Sequence, residues 1–162
     1  LVLDCGFWIS FIGAIAYGFT SYLFIVIGAG HNAKAMAMAY MAPVIAGVLL
    51  TYKGKYLWGW LLTAFALAFE VRTGHLQITY YLALIVVILV VAELISDIKN
   101  KKLGHFIKAS VGLAVAAIIG VLTCSTSLYG SYEFGKETTR GKPVLTRNED
   151  NQTKGLDRDY IN

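Results

Sequence analysis

Charged side chains are scarce along most of this sequence. Asp, Glu, Lys and Arg make up 15% of its 162 residues, and twelve of these twenty-four charged residues fall after residue 128. Soluble domains contain about 25% charged and 45–50% apolar residues, whereas 57% of this chain is hydrophobic. The imbalance excludes an ordinary soluble domain over residues 1–127. It predicts a membrane region there and a polar, water-exposed segment over residues 128–162.

Signals of other protein classes are also missing. The two cysteines, Cys5 and Cys124, lie in apolar stretches without metal-ligand spacing, so we expect them to be packing residues. The net charge is +4, but the basic residues form no stripe interleaved with aromatic residues, which argues against nucleic acid as a partner. No phosphate-binding glycine loop, nucleophile elbow or metalloprotease helix is present. The sequence starts at Leu1 without a signal peptide, so we expect an internal piece of a longer protein.

Five apolar runs approach or reach the length that crosses a bilayer, which is about 17–25 residues. They are residues 7–27, 35–50, 56–71, 75–95 and 106–124. The runs have almost no polar face, which disfavours the alternative that they are buried helices of a large soluble core. We therefore predict an all-α, polytopic membrane helical bundle of about five hydrophobic helices. The second and third runs are short, so they cross with the help of flanking residues or are partly re-entrant.

Lysines favour one side of the membrane in this topology. The turns after the second and fourth runs, with their flanks, hold Lys53, Lys55, Lys99, Lys101, Lys102 and Lys108. The turns after the first and third runs hold two basic residues. The positive-inside rule therefore predicts a cytoplasmic N-terminal end and an extracytoplasmic C-terminal segment, which would begin a larger soluble portion. Glu93, Asp97 and His105 lie on the lysine side, where we expect them to be solvated.

The opposite side collects imidazoles, cations and hydrogen-bonding groups around two turns. These candidate binding residues are His31, Asn32, Lys34, Arg72, His75, Gln77 and Tyr80. Ionisable groups at membrane depth are costly unless they face a cavity or a partner. The start of a helix favours an anion because its first N–H groups are free. Together these groups would suit a phosphate or pyrophosphate carried on a lipid.

Plainer roles stay open for the same residues. Arg72 and Lys34 could anchor lipid headgroups, and Tyr80 could belong to an aromatic belt. A zinc site built from His31 and His75 would lack a third ligand, so we predict neither a metal nor a cofactor. Membrane lipid is the partner that the residues alone imply.

Six short strings occur together in a distinctive order. In the membrane region they are AGHNAKA (29–35), AYMAP (39–43) and RTGHLQITYY (72–81). In the polar segment they are YEFGK (132–136), TRGK (139–142) and GLDRDY (155–160). Over nearly the whole chain, these strings resemble bacterial YfhO-type membrane proteins. The family's stretch reads NHLQITYY, with Asn where this chain has Gly74.

The resemblance implies a GT-C type glycosyltransferase in the bacterial inner membrane. Such enzymes take sugars from polyprenyl-phosphate donors at the outer membrane face and transfer them to envelope glycopolymers or proteins. The residues that would help to hold the donor phosphate or the acceptor are His31, Lys34, Arg72, His75 and Gln77. GT-C enzymes place a catalytic acidic residue in the first extracytoplasmic loop, and this sequence has no equivalent. We expect that residue upstream of Leu1, so that this piece alone would be inactive.

Two other functions remain alternatives. A transporter or flippase of lipid-linked sugars would need a polar path across the membrane, and residues 35–124 show little polarity at mid-depth. A structural membrane subunit that only anchors a partner is the second alternative.

Overall fold

The computed structural model describes residues 3–137, and all regular structure in that range is helical. The helices are α1 (Phe7–Gly18), α2 (Ser21–Gly28), α3 (Asn32–Tyr52), α4 (Tyr56–Arg72), α5 (Leu76–Lys99), α6 (Leu103–Leu122) and α7 (Ser125–Glu137). The predicted all-α helical bundle is confirmed. The sequence analysis did not predict α7, and its statements about residues 138–162 concern positions outside the described range.

Four segments are long and apolar enough to cross a membrane. They are α1 and α2 taken together, α3, α5 and α6. α4 has 17 residues, which is at the lower end of the length of about 17–25 residues that spans a bilayer. Aromatic and aliphatic side chains of these helices are exposed along the flanks of the bundle. This is the pattern of a multi-pass membrane protein whose flanks contact lipid.

Two predicted runs differ from the helices that form. The run 7–27 breaks after Gly18, where Thr20 is extended and its hydroxyl donates to the Tyr17 carbonyl at 3.2 Å. A hydroxyl that binds a nearby carbonyl competes with the next helical hydrogen bond, so this contact favours a break. The short run 35–50 gains length from flanking polar residues, so that α3 has 21 residues.

α3 and α4 pack in antiparallel fashion and form the closest helix pair of the bundle. A Cβ atom added to Gly47 would lie 2.8 Å from the Thr63 nitrogen, and one added to Gly59 would lie 2.7 Å from the Thr51 nitrogen. The two backbones therefore touch at both glycines. Small residues at the interface permit this close approach. The van der Waals packing that it allows drives helix association in lipid.

α4 also packs on α6 through glycines. A Cβ atom at Gly120 would lie 2.8 Å from the Ala64 carbonyl oxygen, and the Trp60 ring lies over Gly112. α5 packs less closely on its neighbours, and least on α4. α4 thus packs tightly on both α3 and α6, and a gap remains between α4 and α5.

The turns after α3 and α5 lie side by side at one end of the bundle, which we call the lysine end. The Tyr52 hydroxyl and the Ser110 hydroxyl are 2.9 Å apart, and the rings of Tyr52 and Phe106 stack. Here the expectation of solvated carboxylates is wrong for Asp97, which is 7% exposed. Its Oδ2 lies 2.9 Å from Nδ1 of His105, which is itself half-buried. The α5–α6 turn brings the pair together, and burial follows because α6 covers it.

The segment before α1 also belongs to the lysine end. The Asp4 carboxylate pairs with the Lys53 ammonium, and this hydrogen bond and charge hold the pKa of Asp4 below its ordinary value. Because α3 ends at the lysine end, the turn between α2 and α3, where α3 begins, lies at the opposite end. That end also carries the last residues of α4 and α6 and the first of α5, and we call it the Arg72 end.

Candidate functional site

The turn from α4 to α5 is closed by backbone and hydroxyl hydrogen bonds. The Glu70 carbonyl accepts from the Thr73 hydroxyl at 2.7 Å and from the Thr73 N–H at 3.1 Å. Gly74 has a φ of 73°, a left-handed conformation that glycine adopts freely and asparagine tolerates. Arg72 therefore ends one helix three residues before His75, which precedes the first residue of the next.

A buried carboxyl group lies beneath this turn. Glu70 is 0% exposed, and its Oε1 accepts a hydrogen bond of 3.0 Å from the Thr79 hydroxyl. Among the described residues, neither Glu70 Oε2 nor the buried Nδ1 of His75 has a hydrogen-bond partner. Buried polar atoms are nearly always paired, and ionisable groups within a membrane bundle mark functional positions. Glu70 is therefore part of the candidate site.

The predicted residues of the α4–α5 turn lie close together in sequence and space. Arg72 is exposed and His75 is half-buried. Gln77 is exposed, and its amide nitrogen donates to the Tyr81 hydroxyl at 3.1 Å. Tyr80 is exposed, with its ring 6.0 Å from that of Tyr81. These side chains surround the start of α5, where no acidic residue occupies the first turn.

The predicted residues of the α2–α3 turn are not joined to this group. His31 precedes α3 and is exposed, as is Asn32 at the first helical position. The Lys34 ammonium lies 5.4 Å from the centre of the Tyr22 ring. Within residues 3–137, no hydrogen bond or ion pair links either turn's candidate residues to those of the other. The two turns share the Arg72 end, but a ligand would have to bridge them.

An apolar groove of about 420 Å³ runs beside α5. It extends along α5 from Thr79 to Val90, which is about 16 Å for eleven residues at 1.5 Å each. At the Arg72 end its wall includes Val71, which is next to Arg72 in the chain, and Thr79, whose hydroxyl donates to the Glu70 carboxyl group. At the lysine end it reaches Tyr52 and Ser110. Its volume falls within the range of about 300–1,000 Å³ that ligand pockets have.

No family model, curated protein or solved structure matches the chain.

Glu70 is not among the candidate residues predicted from the sequence. Its spacing from Gly59, Thr63 and Ala66 puts all four on one face of α4, and all four are buried. That spacing with small residues was the signal that could have identified it. The groove had no such signal, because it depends on how far α5 lies from α4.

The chemistry available at the Arg72 end is binding of an anion next to an apolar channel. Arg72 and the free N–H groups of α5 can hold a phosphate, and His75 can donate or accept. Within the described residues, no group of three or more His, Cys, Asp or Glu side chains is placed to hold a metal ion.

Proposed function

We propose that this chain forms the donor-lipid pocket of a GT-C type membrane glycosyltransferase that uses a polyprenyl-phosphate-linked sugar. The observation that carries the proposal is the apolar groove, whose lining includes Val71, next to Arg72, and Thr79, one helical turn after His75. A lipid phosphate has the same two parts, an apolar chain and an anionic head. The acceptor would be an envelope glycopolymer or protein.

The groove supports binding of the carrier's isoprenoid chain. Twelve of its sixteen lining residues are Val, Leu or Ala from α3, α4, α5 and α6, and the other four are Tyr52, Thr63, Thr79 and Ser110. A membrane-embedded groove of this kind excludes water and favours a hydrocarbon chain. Its length of about 16 Å is half of a hydrocarbon core of about 30 Å. The groove would thus hold the part of the carrier that is nearest to its phosphate.

The Arg72 end supports binding of the phosphate. The Arg72 guanidinium can form two parallel hydrogen bonds to phosphate oxygens. The dipole of the 24-residue α5 adds positive potential at its start. During sugar transfer these groups would stabilise the charge on the departing phosphate. The base that activates the acceptor hydroxyl would come from another part of the full-length protein.

The proposal places the Arg72 end on the outer face of the bacterial inner membrane and the lysine end in the cytoplasm. Impermeant thiol reagents applied to intact cells test this orientation with single cysteines at positions 31, 75, 53 and 101. We expect labelling at the first two positions only. Labelling at 53 and 101 instead would invert the topology and remove the proposed site from the outer face.

Release of polyprenyl phosphate from a lipid-linked sugar is the direct test of activity. It is measured with the full-length protein in liposomes. Arg72→Ala should reduce release at least about a hundredfold, since one donor to a developing anion commonly contributes that much. Lys99→Ala, which removes an exposed cation at the lysine end, should leave release unchanged. Equal activity of the two variants would refute the assigned role of Arg72.

A transporter of lipid-linked sugars is the second candidate, because the groove reaches residues near both ends of the bundle. The same liposomes discriminate between the two functions when they carry a labelled lipid-linked sugar. Redistribution of the lipid between leaflets without consumption of the sugar would favour transport over transfer.

A further inference from the structure

The lysine end carries a concentration of positive charge, and the proposed donor-binding site at the opposite end does not involve these residues. The turns that follow α3 and α5, with the last residue of α5 and the second turn of α6, provide Lys53, Lys55, Lys99, Lys101, Lys102 and Lys108. Contacts between the start of α4 and the start of α6 join these turns into a single surface. The Tyr56 ring lies 5.7 Å from the His105 ring, and the Lys108 ammonium lies 4.6 Å from the centre of the Tyr56 ring.

Few acidic groups offset this charge. Among residues 3–137, Asp4 pairs with Lys53, and Asp97 faces His105 and is buried. The other five lysines form no ion pair in the described part of the chain, and all five are exposed. α4 and α6 both begin at this end, and neither has an acidic residue in its first turn. Glu93, one turn before Asp97 in α5, also lies at this end, so three carboxylates stand against six lysines and the surface keeps a net positive charge.

We propose that the lysine end binds the phosphate headgroups of anionic phospholipids. The surface lies at the level where the apolar helices α3 and α5 end and α6 begins, which is the depth of lipid headgroups. Clusters of four to eight basic residues at such a boundary attract anionic lipids, by roughly a factor of five per lysine. Lys55 and Lys102 come from the two adjacent turns, and the Lys108 ammonium lies over the ring of Tyr56, the residue that follows Lys55.

Tryptophan fluorescence can report on this surface. Trp58 is 71% exposed and lies one turn of α4 from Lys55, with Trp60 close by. Trp8 lies in the first turn of α1, near Asp4 and its partner Lys53. All three tryptophans of the chain are thus in the half of the bundle at the lysine end.

The experiment compares quenching by brominated phosphatidylglycerol and brominated phosphatidylcholine in mixed vesicles of the two lipids. The full chain should be quenched more by the anionic lipid, with a relative binding constant of about five or more at low salt. The preference should fall toward one at high salt because screening weakens it.

The triple variant Lys55→Gln, Lys102→Gln, Lys108→Gln should lose the preference. The matched control Lys34→Gln, Arg72→Gln removes two charges from the other end and should keep it. Equal quenching of the wild-type chain by the two lipids would overturn the proposal, as would a preference that persists in the triple variant or resists salt. Circular dichroism checks that the variants remain helical. The comparison of the two lipids on the wild-type chain does not depend on the variants.

Discussion

Substitution of Gly59 by alanine tests the closest contact in the bundle. The added Cβ atom would lie 2.7 Å from the Thr51 nitrogen and 2.8 Å from the Gly47 carbonyl oxygen, and ordinary contacts begin at 3.4 Å. Relief of the first contact requires a shift of 3.4 − 2.7 = 0.7 Å. Both atoms belong to the α3 backbone, so no side-chain rotation can supply the shift. The two helices must move apart.

A separation of this size removes a substantial part of the packing energy. A gap of about 0.5–1 Å forfeits a quarter to a half of each dispersion contact across it. Overpacked positions typically lose about 1–3 kcal/mol. Alanine gains about 1 kcal/mol over glycine in helix propensity, so we expect a net loss of up to about 2 kcal/mol relative to the wild type and about 1–3 kcal/mol relative to an exposed helical Gly→Ala change. Because helices in lipid associate through packing, little else compensates.

Reversible unfolding in mixed micelles with increasing denaturing detergent measures this loss. Gly13→Ala is the matched control, because Gly13 lies within α1, is exposed, and has no atom within 4 Å of an added Cβ. The control should be neutral or slightly stabilising. If Gly59→Ala is as stable as Gly13→Ala, the α3–α4 backbones do not touch as described.

Two further substitutions test buried polar contacts by the same unfolding measurement. Thr79→Val should destabilise the bundle by about 1–3 kcal/mol, since it leaves both carboxylate oxygens of Glu70 without a partner. Gln77→Ala, an exposed change two residues away, should stay within about 0.5 kcal/mol, and a similar loss in both variants would refute the special role of Thr79. His105→Ala should cost about 1–3 kcal/mol because it leaves the buried Asp97 unpaired. Removal of both partners as His105→Ala, Asp97→Ala should recover part of that loss, and no recovery would show that the two do not interact.

The sequence predicted the helices better than their ends. Apolar runs identified the helical segments that became α3, α4, α5 and α6, because lipid requires each spanning segment to satisfy its own backbone hydrogen bonds. The ends shifted where polar residues continued a helix, as Asn32 and Thr51 do in α3. The break at Thr20 escaped prediction because the apolar run continues on both sides of it.

The candidate site was predicted in part. The arrangement of Arg72 and His75 is local, since three residues and a left-handed glycine separate two helices. The expected meeting of this turn with Lys34 depended on distance between helices, and Lys34 instead packs on Tyr22. Periodicity cannot supply such distances, because it describes one helix at a time.

Composition and apolar run length by themselves determined that this chain is a multi-pass helical membrane protein, because bilayer thickness and backbone hydrogen bonding leave few other solutions. Tertiary structure alone decided which polar groups are buried and where a groove forms. Glu70 and Asp97 have the same local appearance as solvated helix-end carboxylates, and only the packing of neighbouring helices removes them from solvent. The groove exists because glycines bring α3, α4 and α6 together while α5 lies farther from α4.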